Sequence, residues 1–215
     1  MYQPPHFRED DLSVQHALIR SHPLGLLVTF GSGGIEANPI PFALDAQASA
    51  LGTLKAHLSR ANAQWRTFDP DQEALVVFQG PETYITPSWY AAKREHGKVV
   101  PTWNYAIVQA RGRLTVRDDP DWLRQQIAAL TDMQEAPRPE PWTVSDAPEP
   151  FVAAQLKGIV GVEIEITRIE GKWKVSQNRA EADRLGVSAG LRLSRDDASH
   201  RMADLVDARG ALPHG

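Results

Sequence analysis

The chain has 215 residues, of which 42% are hydrophobic and 23% charged, with a formal net charge of −4 and no cysteine. That length suffices for one well-buried domain, and no apolar run approaches the roughly 20 residues that cross a bilayer. Without a thiolate, cysteine catalysis, iron–sulfur clusters and thiolate-rich zinc sites are excluded, and the acidic balance weighs against a surface built for phosphate backbone.

The N-terminal Met1 to Pro5 lacks the basic and then apolar stretch of a secretory signal, so the cytoplasm is the expected compartment. Asp10 or Asp11 can cap a first helix to about Arg20, with Leu12, His16 and Ile19 on one face and Pro23 marking its end. Leu24 to Phe30 reads as a strand, Gly31 to Gly34 as a hairpin turn, and Ile35 to Leu44 as a second strand in which Pro39 and Pro41 forbid helix. Ala50 to His57 is a weaker strand. Ser59 then offers an N-cap for a short helix through Arg66, closed by Asp69-Pro70, and Ala74 to Phe78 follows as a buried strand.

The strongest strand signal is Tyr105 to Val116, where Ala106, Val108, Ala110 and Leu114 alternate with mostly polar neighbours; Val160 to Ile166 repeats the pattern. Between them Asp119-Pro120 opens a helix with Leu123, Ile127 and Leu130 at helical spacing, followed by a proline-rich connection over Ala136 to Pro150 and a short helix near Phe151 to Lys157. Asn178 is placed to cap a last helix ending at Gly186. Residues 1–191 are expected to form one domain, mainly β with peripheral helices, and residues 192–215 a polar tail that is either helical or disordered.

Four segments are richer in polar and aromatic residues than a core requires: Leu54 to Asn62 (LKAHLSRAN), Tyr84 to Tyr90 (YITPSWY), Val100 to Tyr105 (VPTWNY) and Gly171 to Arg179 (GKWKVSQNR). In their order and composition the chain resembles the PaiB family of FMN-binding negative transcriptional regulators, over about Met1 to Leu191. The resemblance implies an FMN-binding split β-barrel, a homodimer, and one FMN per subunit at the dimer interface. It also implies that His57, Ser59, Arg60 and Asn62 form the flavin-phosphate segment, with Lys174, Ser176 and Gln177 as a second wall. Where the family tends to carry histidine before the isoleucine–proline pair, this chain has Pro39 within Asn38-Pro39-Ile40-Pro41, which removes an imidazole donor.

The residue chemistry stands beside that resemblance. An FMN phosphate carries roughly 1.5 to 2 negative charges and needs cations and converging N–H donors. Ser59, Arg60 and Asn62 fall at the expected start of a helix, where the dipole favours an anion. Taken singly, Arg60 and Lys174 read as solvated charges, a reading that their setting inside the matching motifs reverses, and His57 reads either as a capping or core histidine or as a flavin contact. Trp103, Asn104 and Tyr105 either border the flavin ring or serve as large core residues. The seven histidines show no metal-ligand spacing, so no metal is expected, and the Gly31 to Gly34 run lacks a phosphate-loop pattern. Lys93, Arg94 and Lys98 form a small basic cluster in a loop.

Two alternatives to a regulator remain from the sequence: an FMN-dependent, flavin-reductase-like oxidoreductase, and a haem-binding protein on the same barrel with a histidine such as His57 as axial ligand. No helix-turn-helix signature is visible, which leaves direct DNA binding open and a partner protein as the other route.

Overall fold

The structure, a computed structural model, describes residues 1–210; residues 211–215, the end of the expected tail, lie outside it. After a 3-10 turn at Pro5–Phe7 come β1 (Arg8–Glu9), α1 (Leu12–Ser21), β2 (Leu24–Gly31), β3 (Gly34–Pro41), β4 (Ala43–Asp45), β5 (Thr53–Ser59), α2 (Gln64–Thr67) and β6 (Ala74–Ile85). The rest of the chain forms α3 (Ala92–Glu95), β7 (Thr102–Arg117), α4 (Pro120–Glu135), α5 (Glu149–Leu156), β8 (Ile159–Lys174), α6 (Glu181–Arg192) and α7 (Asp197–Gly210). The fold is mainly antiparallel sheet with peripheral helices. The sheet runs in the order β3-β2-β6-β7-β8-β5-β4 and does not close on itself. Among the described residues no helix is long and apolar enough to cross a membrane.

The chain divides into two compact units, the first made of residues 1–15, 79–108 and 170–215 and the second of 16–78 and 109–169. β6, β7 and β8 each contribute residues to both.

In the second unit, hairpin β2–β3 is followed by pairing of β2 with β6, of β4 with β5, and of β5 with β8, all antiparallel. The alternation read from the sequence sets the inward side: Ala110, Leu114, Val160, Val162 and Ile164 are buried, and Phe42 meets Phe78 edge to face with centroids 5.8 Å apart. Gly112 is required by close approach, since a Cβ there would stand 1.9 Å from the carbonyl oxygen of Glu165. Asp119 caps α4 by accepting a 2.7 Å hydrogen bond from the Trp122 N–H, and Leu123 packs with Val152 and Leu156 of α5.

The expected helix start at Ser59 is corrected by the structure. Ser59 ends β5, Asn62 N–H bonds back to its carbonyl at 2.9 Å, and the helix that follows is the single turn of α2 capped at Ala63. The strand outcompetes the cap because Thr53 to Ser59 pairs along its whole length with Glu165 to Ile159. Arg60 therefore sits in a turn and gains nothing from a helix dipole.

In the first unit, β1 pairs with the end of β8, Arg8 opposite Lys172 and Glu9 opposite Gly171. A core cluster gathers Ile85, Tyr90, Val175, Val187, Leu191 and Met202. The expected helix from Asn178 to Gly186 is likewise corrected: α6 begins at Glu181 after Ala180, with no side-chain cap, and continues to Arg192. Gly186 and Gly190 do not end it. They let it press against Trp89, where a Cβ at 186 would stand 2.0 Å from the Trp89 carbonyl oxygen and one at 190 would stand 2.4 Å from its indole. Residues 197–210 form α7, whose Met202, Ala203 and Val206 are buried in the same cluster.

Candidate functional site

The first unit holds a cavity of about 590 Å³ lined by Tyr2, Phe7, Thr102, Trp103, Tyr105, Lys172 and Lys174 among others. Its construction follows from strand geometry. Residues two apart on a strand share a side, so Trp103 and Tyr105 of β7 project together, as do Lys172 and Lys174 of β8. The Lys172 ammonium lies 5.3 Å from the Tyr105 ring centroid and 5.4 Å from that of Tyr2, within cation–π range of both. Lys174 Nζ donates to Thr102 Oγ1 and, at 2.5 Å, to the Trp103 carbonyl. Burial pushes the Lys174 ammonium below the ordinary lysine range, and the charges of Arg179 and Lys172 push the same way. Trp103 is 54% exposed and meets Tyr84 edge to face.

Behind this wall the backbone is held by a short polar lattice. Asn104 donates to Ser176 Oγ at 2.9 Å, both side chains being buried. Ser176 has φ of 67°, the left-handed region that glycine usually fills. Gln177 accepts from the Val175 N–H at 2.8 Å and donates to the Trp173 carbonyl at 2.5 Å. Of the residues singled out from the sequence, Trp103, Tyr105 and Lys174 therefore line the cavity, while Asn104, Ser176 and Gln177 shape the turn behind it.

The remaining four lie in the second unit. His57 Nδ1 is 2.7 Å from Gln126 Oε1. Ser59 Oγ accepts from the Ala61 N–H at 3.3 Å, and Asn62 Oδ1 accepts from the Gln64 N–H at 2.9 Å. Arg60 is already engaged: its fork donates to both oxygens of Asp118, at 3.0 and 2.5 Å, and further N–H groups reach the carbonyls of Lys157 and Ile159. The Arg60 hydrogen bond holds the Asp118 carboxyl below the usual carboxylate range. A smaller cavity of about 300 Å³ opens beside this pair, between α4 and α5.

Some residues at these places escaped the sequence reading. Lys172, Thr102, Tyr2 and Phe7 complete the aromatic cavity, and the alternation Lys172-Trp173-Lys174 was the signal that both lysines face one side. Gln64, 1% exposed, donates to the Leu27 carbonyl at 3.2 Å and to Thr29 Oγ1 at 3.1 Å, and accepts from Asn38 at 3.0 Å. It ties α2 to β2 and β3, beside Pro39. A polar residue on one helical turn gives no periodic signal.

The chemistry of the first unit's donor set suits a flavin nucleotide. Aromatic faces can lie against a flat ring, and two ammonium groups can face a phosphate. Residues 1–168 match the family model described as "Putative FMN-binding domain". The chain is 34% identical to an uncharacterised protein of Emericella nidulans, covering 99% of this chain and 98% of the relative. It is 30% identical to the protease synthase and sporulation protein PAI 2 of Bacillus subtilis, covering 96% and 97%. Among solved structures it superposes on the flavocytochrome Anf3 of Azotobacter vinelandii with a TM-score of 0.55 at 14% identity, covering 78% of this chain and 69% of that one. That last likeness bears on fold alone, and the fold is the split barrel of flavin-binding proteins.

Proposed function

Because the chain belongs to the PaiB family of FMN-binding-domain proteins, we propose that it binds FMN, works as a homodimer, and acts as a negative regulator of transcription through a partner. The observation that carries the flavin reading is the cavity in which Trp103, Tyr105, Lys172 and Lys174 meet. Trp103 and Tyr105 flank the ring, and the Asn104–Ser176 and Gln177 contacts keep their strand neighbours in register. When bound, FMN supplies a redox-active ring, and the protein supplies orientation and charge.

Two places compete for the phosphate. The sequence resemblance assigns it to His57, Ser59, Arg60 and Asn62. The occupied fork of Arg60 favours the second, Lys172 and Lys174, whose side chains line one cavity. Titrating FMN and riboflavin against the wild type, Arg60→Ala and Lys174→Ala separates them. Loss of a phosphate contact weakens FMN by roughly tenfold or more and leaves riboflavin nearly unchanged. If the lysine cavity holds the phosphate, Lys174→Ala shows that pattern and Arg60→Ala does not. If Arg60 holds it, the reverse is found, and Asp118→Asn, which frees the fork, tightens FMN. Equal affinity of the wild type for FMN and riboflavin would sink both placements.

The partner route for regulation rests on charge. The chain carries −4 overall, and although α6 and α7 are joined by a short link, α7 presents Asp197, Asp204 and Asp207, two of them held by Arg192. Such a helix is poorly suited to a phosphate-lined groove. Nanomolar, sequence-selective mobility shifts at physiological salt would overturn the partner route.

A further inference from the structure

The end of the Lys174 side chain is arranged for more than charge. Of the four tetrahedral positions on its Nζ, one is the bond to Cε and two are taken by hydrogen bonds, to Thr102 Oγ1 and, at 2.5 Å, to the Trp103 carbonyl. One position is left, on a side chain that lines the cavity of about 590 Å³ in the first unit. In the ammonium form a third N–H fills that position. In the neutral amine two N–H groups still satisfy both acceptors, and the position holds the nitrogen lone pair. Burial, then the charges of Arg179 and Lys172, shift the balance toward the neutral amine. A desolvated lysine beside other cations is the setting in which an amine becomes a nucleophile near neutral pH. Lys172 stands two residues along the same strand and on the same side, its ammonium 5.3 Å from the Tyr105 ring centroid and 5.4 Å from that of Tyr2.

We propose that Lys174 is an acyl-acceptor site: its amine takes the acyl group from a small acyl phosphate drawn in by Lys172, and the amide so formed weakens the hold of the cavity on FMN. An acyl phosphate places an anion and an electrophilic carbonyl one oxygen apart, which matches a cation and an amine on neighbouring positions of one strand face. In the reaction the Nζ lone pair attacks the carbonyl carbon and an N–C bond forms. The bond from that carbon to the bridging oxygen breaks, phosphate leaves with its electron pair, and the proton shed by nitrogen passes to phosphate or solvent. Lys172 faces the charge that grows on the departing phosphate. The product is an uncharged amide at residue 174, so one of the two cations offered to a flavin phosphate is gone. Only this last consequence rests on the reading that the lysine cavity takes FMN.

The chain has six lysines, which serve as controls for one another. The full chain is treated with acetyl phosphate to low extent, and the acetylation rate at each lysine is read by tandem mass spectrometry of its peptides. Lys93, Lys98 and Lys157 are exposed and Lys174 is half-buried, so access alone ranks Lys174 below them. The expected result is the opposite, with Lys174 reacting roughly tenfold or more faster than those three. Lys172→Met should slow acetyl phosphate at Lys174 more than it slows the uncharged donor N-acetylimidazole. Saturating FMN should protect Lys174, and the acetylated protein should bind FMN roughly tenfold more weakly with riboflavin nearly unchanged. Lys174 reacting no faster than the exposed lysines overturns the proposal and leaves the flavin reading standing. Equal slowing of the two donors overturns the part given to Lys172. Fast acetylation that FMN does not hinder, with FMN affinity unchanged, upholds the acyl-acceptor site but overturns its effect on FMN, together with the lysine placement of the phosphate.

Discussion

Replacing Ser176 by alanine and by glycine separates two forces that meet in one residue. Its hydroxyl bonds Asn104 in both directions, accepting at 2.9 Å and donating at 3.3 Å, and the two residues are 3% and 1% exposed. Alanine strands the Asn104 amide without water, at a cost of about 1–3 kcal/mol. It also keeps a Cβ at φ of 67°, where a side chain costs about 1–2 kcal/mol that glycine does not incur. Ser176→Gly loses the same hydrogen bond but relieves that strain, so it should be the more stable variant by about 1 kcal/mol. Ordinarily the order is reversed, because glycine in regular structure is about 0.5–1 kcal/mol worse than alanine. For a chain of this size each kcal/mol moves Tm by roughly 2–4 °C. Thermal and urea unfolding of the three proteins therefore give an ordering: wild type, then glycine, then alanine. Alanine equal to glycine would refute the strain argument, and two neutral variants would refute the hydrogen bond. A large loss of FMN affinity without loss of stability would move Ser176 from the supporting turn into contact with the ligand.

Gly190→Val should destabilise the first unit by about 1–3 kcal/mol, because its side chain must displace the Trp89 indole that already lies 2.4 Å from the Cβ position; urea midpoints check this, and a neutral result would mean that α6 is free to shift. Lys174 is held below the ordinary lysine value by burial and then by Arg179 and Lys172. If it meets the phosphate, FMN affinity is greatest where the amine is protonated and declines as pH rises through its lowered pKa, before an ordinary lysine would titrate, while riboflavin stays flat. The same depression makes the charged amine a cost to folding that fades over that range, so stability should not fall there. Parallel declines for both ligands would point to unfolding instead.

Strand positions were legible because alternation is a local pattern: Ala106 to Leu114 and Val160 to Ile166 name their buried side directly. Strand lengths were less so. β6 continues past Phe78 to Ile85 and β8 past Ile166 to Lys174, where glycine, proline and charged residues break the alternation and pairing with neighbours carries the strand on. The cap at Asp119 was readable since cap and proline are adjacent, whereas Ser59 looked like a cap and became a strand end under pairing with β8. Gly186 looked like a stop and proved to be a contact with Trp89, about a hundred residues away in the chain. At the candidate site, Trp103, Tyr105 and Lys174 were found through aromatic and basic composition. Lys172 was overlooked beside them, and the engagement of Arg60 by Asp118 joins two turns that no local pattern links.

The first and last segments of the first unit are tied together: Arg209 of α7 donates to Glu9 of β1, a carboxylate 6% exposed. In biosynthesis this places a late checkpoint on the molecule. A nascent chain presents β1 early, yet the arginine that answers Glu9 leaves the ribosome some two hundred residues after it. Until then Glu9 has no ion-pair partner on α7, and the cluster around Tyr90 and Leu191 lacks Met202 and Val206. Chains released early, by stalling or by a stop codon before α7, would carry that apolar surface uncovered and be prone to aggregation and proteolysis.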